Sequence, residues 1–346
     1  MKLGLTLGYW GAQPPTDALS KVREAERLGY DAVFTAESWG SDAFGPLAWF
    51  GSQTERIRLG TSIVQISART PTSCAMHALT LDHLSGGRFT LGLGVSGPQV
   101  VEGWYGAPFA KPLARTREYI DIIRQVLARE APVTSPGPHH HLPYGGPGAL
   151  GLGRPLKPIT HPLRRELPIL LGAEGPRNVA LAAEAADGWL PIYYSPKVAG
   201  LYRSWLDEGF VRAGDPGKAS RFEIAANCSV VVTDDVDGAL DGMRSTLGFY
   251  IGGMGAKDMN FHKQVFARMG YEREADRIQD LFLEGRRQEA VAAVPRSMAA
   301  DISLVGPVAR IRDELAMWEE AGVAMLVVGA RGPGEMRAVA DAVLGA

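Results

Sequence analysis

Alternation between short apolar strands and amphipathic helices is the feature that most constrains this chain, because a strand returned by a helix to a parallel neighbour permits few architectures. The alternation is plainest between residues 59 and 106, where LGTSIVQI reads as a strand running into Ser67. A helix then opens near Pro71, Thr72 and Ser73, carries Ala75, Leu79 and Leu81 at helical spacing, and stops at Gly86 and Gly87. Residues 89–93 form the next strand, which ends in the loop Gly94, Val95, Ser96, Gly97, Pro98. Both strand ends therefore deliver loops to the same side.

The rhythm holds along most of the chain. Further strands are predicted at 3–7, 32–35, 168–171, 189–193, 222–232 and 324–328. One intervening helix starts at Asp17 with Leu19, Val22, Ala25 and Leu28 on one face, and another spans 113–129 through Tyr119, Ile122, Ile123, Val126 and Leu127. Eight strands and a helix after the last predict a single α/β domain over 1–346, a (β/α)8 TIM barrel. Two stretches interrupt it. Residues 131–168 hold nine prolines and six glycines and read as a structured excursion or lid. Residues 237–303 read as a mostly helical insertion covering the barrel mouth.

Composition narrows the partners. The net charge of −2 and the lack of any lysine and arginine run argue against nucleic acid or a membrane surface, and no apolar run reaches spanning length. Small molecules are the expected partners. Cys74 and Cys228, distant and in no metal or redox spacing, fit a reducing compartment, and a strand begins straight after Lys2 with no leader-like segment, so the cytoplasm is expected.

Chemistry in such a barrel sits where strands end. Gly172, Ala173, Glu174, Gly175, Pro176, Arg177 and Asn178 run from a strand into a helix; proline suits its first turn, and the free amides there plus Arg177 offer a phosphate site. An ordinary turn with a solvated arginine would read the same way. The loop from Gly94 to Pro98 lets a ligand approach backbone closely and offers the Ser96 hydroxyl, or is a tight turn needing positive φ. His139, His140 and His141 sit among prolines without converging partners, so no metal is expected. His77 and His83 read as ordinary helix residues. His262, beside Asn260, Phe261 and the flexible-looking Gly252-Gly253-Met254-Gly255, is the candidate for a substrate-side element that moves. Glu37 is the candidate proton donor or ring partner, equally readable as a structural acid, with Ser38 beside it. Tyr9, Trp10, Trp39, Trp104 and Tyr193 could wall an apolar pocket or belong to the core.

The blocks KLGLTLGYWGAQPP, LDHLSGGRFTLGLGVSGPQVVEGWYG, PLARTREYIDIIR and LLGAEGPRNVALAAEAADGWLP occur in that order across nearly the whole chain. Through them the chain resembles the luciferase-like oxidoreductases, in the branch that uses the deazaflavin coenzyme F420 rather than FMN. The resemblance implies a barrel of the luciferase-like type, usually a homodimer, that moves a hydride between F420 and an organic substrate. It implies that the loop from Gly172 to Asn178 holds the cofactor's phosphodiester and that Val95, Ser96, Gly97 and Pro98 meet its tail and ring edge. Thr61, Ser62 and Ile63 would lie behind the ring, with a non-prolyl cis bond between the last two. Glu37, Ser38 and His262 are the expected catalytic residues. Against the glucose-6-phosphate dehydrogenases of this family, Ser38 and Pro98 stand where a histidine and a glutamate are found; against the methylene-tetrahydromethanopterin reductases, Thr6 replaces a glutamate. The resemblance thus implies the cofactor and leaves the substrate open. An FMN-dependent monooxygenase and a non-catalytic F420 carrier are the rival readings.

Overall fold

The computed structural model describes residues 1–257 and 259–345. Among them are eleven strands: β1 (Lys2–Thr6), β2 (Ala32–Thr35), β3 (Arg58–Thr61), β4 (Val64–Gln65), β5 (Phe89–Gly94), β6 (Ile169–Gly172), β7 (Gly188–Leu190), β8 (Glu223–Asn227), β9 (Ser229–Val232), β10 (Ser303–Gly306) and β11 (Met325–Val328). The wall runs β3-β2-β1-β11-β8-β7-β6-β5-β4, parallel throughout, and β3 also pairs with β5 through Leu59 with Phe89 and Gly60 with Thr90. That pairing closes the ring. Since β3 and β4 are two halves of one stave, the wall is the eight-stranded barrel that the alternation predicts.

Side chains fill the barrel's interior, as the architecture requires. Phe34, Leu170, Leu190, Ala225, Met325 and Val327 form the plug, with the half-buried Ile63 against it. A larger core lies between the wall and the surrounding helices. Helix Ala18–Arg27 turns Val22 and Ala25 inward and stops at Gly29, whose φ is +84°. Helix Pro71–Leu84 is capped by Thr70, whose hydroxyl accepts from the Ser73 amide at 3.3 Å. Helix Pro112–Ala128 buries Tyr119, Ile122, Ile123, Val126 and Leu127, the stripe visible in the sequence.

Two expected strands are corrected. The segment at 222–232 breaks at Cys228, where β8 stays in the barrel and β9 leaves it to pair with β10. Pattern alone does not show a change of sheet inside a continuous apolar run, and the four residues of β10 merge with the helical stretch before them. The strand expected at 189–193 ends at Leu190, because Pro191 has no amide to donate to the ladder.

The proline-rich excursion contains no helix or strand, only an isolated pairing of Ser135 with Leu142. Its hydrogen bonds run to the helices outside the wall. The amides of His139 and His140 both donate to Glu118 at 3.0 Å, Arg129 Nε donates to the Pro158 carbonyl at 2.9 Å, and Arg164 forks onto Asp82 at 2.5 and 3.1 Å. It therefore leans on the barrel's flank. The helical insertion, from Val236–Gly253 to Arg296–Ala300, instead gathers its own core from Leu247, Ile251, Phe266, Ile278, Met298 and others, and Tyr193 of the β7 loop packs against it.

Candidate active site

The site's floor is made where the β3–β4 stave is interrupted. The Ser62–Ile63 peptide is cis, as the family resemblance implies, and it turns the Ile63 side chain over the plug at the top of the barrel. Glycines on the next two staves, β5 and β6, make room for it: a Cβ on Gly94 would come within 2.8 Å of Ile63 and one on Gly172 within 3.1 Å. Gly94 thus serves close packing, and the left-handed residue of its loop is Ser96, at φ 60°. Thr61, expected against the cofactor, has its hydroxyl engaged within the wall. Fully buried, its hydroxyl accepts from the Gly92 amide and donates to the Gly92 carbonyl, both at 2.8 Å, so it staples the wall where ladder bonds are lost.

Glu37 stands beside this bulge and its oxygens are already engaged. Arg69 forks onto it at 2.7 and 3.1 Å, and the Gln65 amide donates to it at 3.0 Å. Its own amide donates to the Ile63 carbonyl at 3.1 Å. A carboxylate so paired is poorly placed to give up or take a proton and well placed to hold the bulge. Gln65 donates through Nε2 to the Glu37 carbonyl at 3.1 Å, while its Oε1 is buried with no partner. Burial pushes up the Tyr105 phenol, with the nearby Glu37 charge adding to the effect. Ser38 is half-buried and neighbours the exposed Trp39.

Beyond β6, Gly175 precedes helix Pro176–Ala185 without a side-chain cap, and Arg177 is exposed at the first turn. Trp189 Nε1 donates to the Ala173 carbonyl at 2.8 Å and fixes the loop from behind. Its remaining acid faces inward. Glu174 Oε1 lies 2.8 Å from His262 Nδ1, joining the barrel to the insertion, although the contact misses hydrogen-bond geometry and Nδ1 and Glu174 Oε2 both stay buried without a hydrogen-bond partner.

His262 reaches the mouth, as its sequence position suggests, and aromatic rings surround it. Its ring lies 5.0 Å from Tyr250 and 5.9 Å from Tyr193, both edge-on, and Tyr193 in turn lies 4.9 Å from Phe266. Burial pushes the Tyr193 phenol well up and lifts that of Tyr250 to about 12, so both stay protonated donors at neutral pH. Asn260 locks the element: it caps helix Phe261–Phe266 by accepting from the Lys263 amide at 2.9 Å and donates to the Tyr250 and Ile251 carbonyls at 3.1 and 2.7 Å. Two of the nearby glycines serve close packing. Gly252 and Gly253 end helix Val236–Gly253 and lie against Phe282, where added Cβ atoms would come within 2.5 and 2.6 Å.

The other nominated side chains spread out. Tyr9, Trp10, Trp39 and Trp104 are exposed rather than core. His83 Nε2 bonds the His161 carbonyl at 2.8 Å, and His77 stacks on Phe44 at 4.9 Å. Sequence reasoning missed Gln65, Arg69 and Tyr250. Gln65 ends β4 and Arg69 follows it, where an interrupted strand could have signalled them, but Tyr250 arrives through tertiary packing that no local pattern encodes.

The sequence profile described as luciferase-like monooxygenase matches residues 4–325. A Mycobacterium tuberculosis protein provisionally described as a coenzyme F420-dependent oxidoreductase is 61% identical over 340 residues, 98% of each chain. In fold, the chain is similar to a coenzyme F420 dependent tetrahydromethanopterin reductase from Methanopyrus kandleri, with a TM-score of 0.80, 22% identity and coverage of 99% of this chain and 98% of that one. It is similar also to an F420-dependent secondary alcohol dehydrogenase, with a TM-score of 0.77, 17% identity and coverage of 99% and 98%.

Proposed function

The chain belongs to the luciferase-like monooxygenase family, and from that membership we propose that it is an oxidoreductase that binds coenzyme F420 at the barrel mouth and moves a hydride between the deazaflavin and a small organic substrate. The Ile63 floor carries the reading: an apolar side chain closely flanked by Gly94 and Gly172 at the barrel mouth can back a planar ring. The residues around the floor fit such a group. Gln65 Oε1 is a buried acceptor with no partner beside the bulge, and the uncapped first turn of helix Pro176–Ala185 with Arg177 suits a phosphodiester.

When bound, the deazaflavin supplies a carbon that accepts or gives a hydride. The chain's part is to hold and enclose. Val95, Ser96, Gly97 and Pro98 would lie along the tail and ring edge. Glu37, through Arg69 and Gln65, keeps the bulge in place behind the ring, and Ser38 lies at the same edge. The insertion excludes water from the substrate side. We place the protein in the cytoplasm as a homodimer; its two free thiols, Cys74 and Cys228, are buried and suit a reducing compartment. Among the described residues no helix is long and apolar enough to cross a membrane.

Titration of the purified apoprotein with F420 and with FMN, followed by cofactor fluorescence, tests the reading. F420 should bind at least tenfold more tightly. Tighter binding of FMN would make the protein a flavin-dependent monooxygenase of the same family instead.

A further inference from the structure

The Glu174–His262 pair joins the barrel to the insertion, two bodies with largely separate cores. Glu174 follows the β6 stave, whereas His262 sits on the insertion, whose core is distinct. Both side chains keep a small open surface, 16% for Glu174 and 18% for His262, yet Nδ1 is sealed from solvent against the carboxylate. The open part of the side chain therefore lies away from Nδ1. Asn260 fixes the backbone that carries it, and Tyr193, Tyr250 and Phe266 restrict how far it can swing.

We infer that Glu174 is a positioning residue that holds His262 with Nδ1 protonated and Nε2 turned to the mouth, and that His262 exchanges a proton with the oxygen of a ketone or alcohol substrate. The inference rests on the F420 reading. At 2.8 Å the Glu174 carboxylate repels a bare Nδ1 lone pair and so favours a proton there, which leaves Nε2 to carry a second proton or a free lone pair. Beside the ring stand Tyr193 and Tyr250, whose phenols remain protonated at neutral pH, donors suited to an oxygen rather than to a cation.

The balance of the step is simple. In reduction, a hydride from reduced F420 forms the new C–H bond at the carbonyl carbon, and the C=O π pair moves to oxygen. That oxygen takes the Nε2 proton, leaving an alcohol, oxidised cofactor and a neutral imidazole. Oxidation runs the same transfers backwards.

The groups facing His262 from each packed element are Glu174 of the β6 loop, Tyr193 of the β7 loop and Tyr250 of helix Val236–Gly253. The adjacent Lys263 is taken by Asp276 at 2.7 Å and Gln279 at 2.8 Å, and Arg268 lies within electrostatic reach of Glu174. Glu174 is thus the carboxylate that decides the tautomer.

Nitrogen-15 NMR of the imidazoles in the apoprotein reads this without cofactor or turnover. The neutral His262 ring should carry its proton on Nδ1 in the parent and become a mixture of tautomers in Glu174→Ala. An Nε2-protonated ring in the parent, or the same tautomer in both proteins, would overturn the assignment. A second arm uses reduced F420 with cyclohexanone and acetophenone. His262→Asn keeps a donor for Glu174 but removes Nε2, so kcat should fall about a hundredfold, with F420 affinity unchanged. Unchanged kcat in His262→Asn would refute proton transfer by this residue. If the parent binds no F420, the functional reading fails while the tautomer measurement still judges the pair.

Discussion

Single residues at this barrel's mouth divide by whether their polar atoms are already engaged. Thr61 and Glu37 are spoken for by Gly92, Arg69 and Gln65, which makes them parts of the wall and its bulge. Arg177 is exposed with no ion-pair partner among the described residues, so it is free to meet an anion. Arg177→Ala should weaken F420 binding by about 1.5–3 kcal/mol, the scale of one charge-assisted contact. Its melting temperature should stay at the parent value; calorimetric binding and thermal scans on the same samples check both. An unchanged dissociation constant would return the loop to a plain turn. The sequence showed the arginine's type and place, but not that Glu174, three residues earlier, turns the opposite way.

Elements were legible in proportion to their length and period. Helix Pro112–Ala128 shows its buried stripe over several turns, whereas β10 has four residues and β7 three, too short for any period to emerge. Glycine was the other ambiguity. Gly252 and Gly253 read as flexible from sequence, and the structure uses them to let a helix approach Phe282, a contact between elements that are distant along the chain. Gly252→Ala should therefore destabilise the insertion by about 1–3 kcal/mol through overpacking, although alanine is the better helix former. Hydrogen exchange should show faster opening across 236–266 with barrel strands unaffected. Slower exchange there would mean that the glycine is a weak point in the helix rather than a packing site.

At the scale of the whole molecule, the two faces of the barrel do different work. The base is tied across staves by charge: Arg58 of β3 forks onto Glu223 of β8 at 2.9 and 3.1 Å, and Lys2 of β1 lies 3.6 Å away. Burial opposes the Glu223 charge, but the Arg58 fork and Lys2 outweigh it and hold the carboxyl below the usual range. A carboxyl lowered by folding adds stability above its unfolded value, and that stability is lost as pH falls through the folded value. Unfolding midpoints in urea should therefore drop as pH is taken below about 4.5, the ordinary value, and Glu223→Gln should show a shallower drop; parallel curves would remove this group from the acid response. The mouth was harder to foresee, because part of it comes from the insertion, whose placement depends on contacts such as Tyr193 with Phe266. That insertion packs around a core of its own, so changes within it and changes in the barrel should add with little interaction. Lineages could then exchange substrates by drift in one body while inheriting the cofactor platform intact in the other.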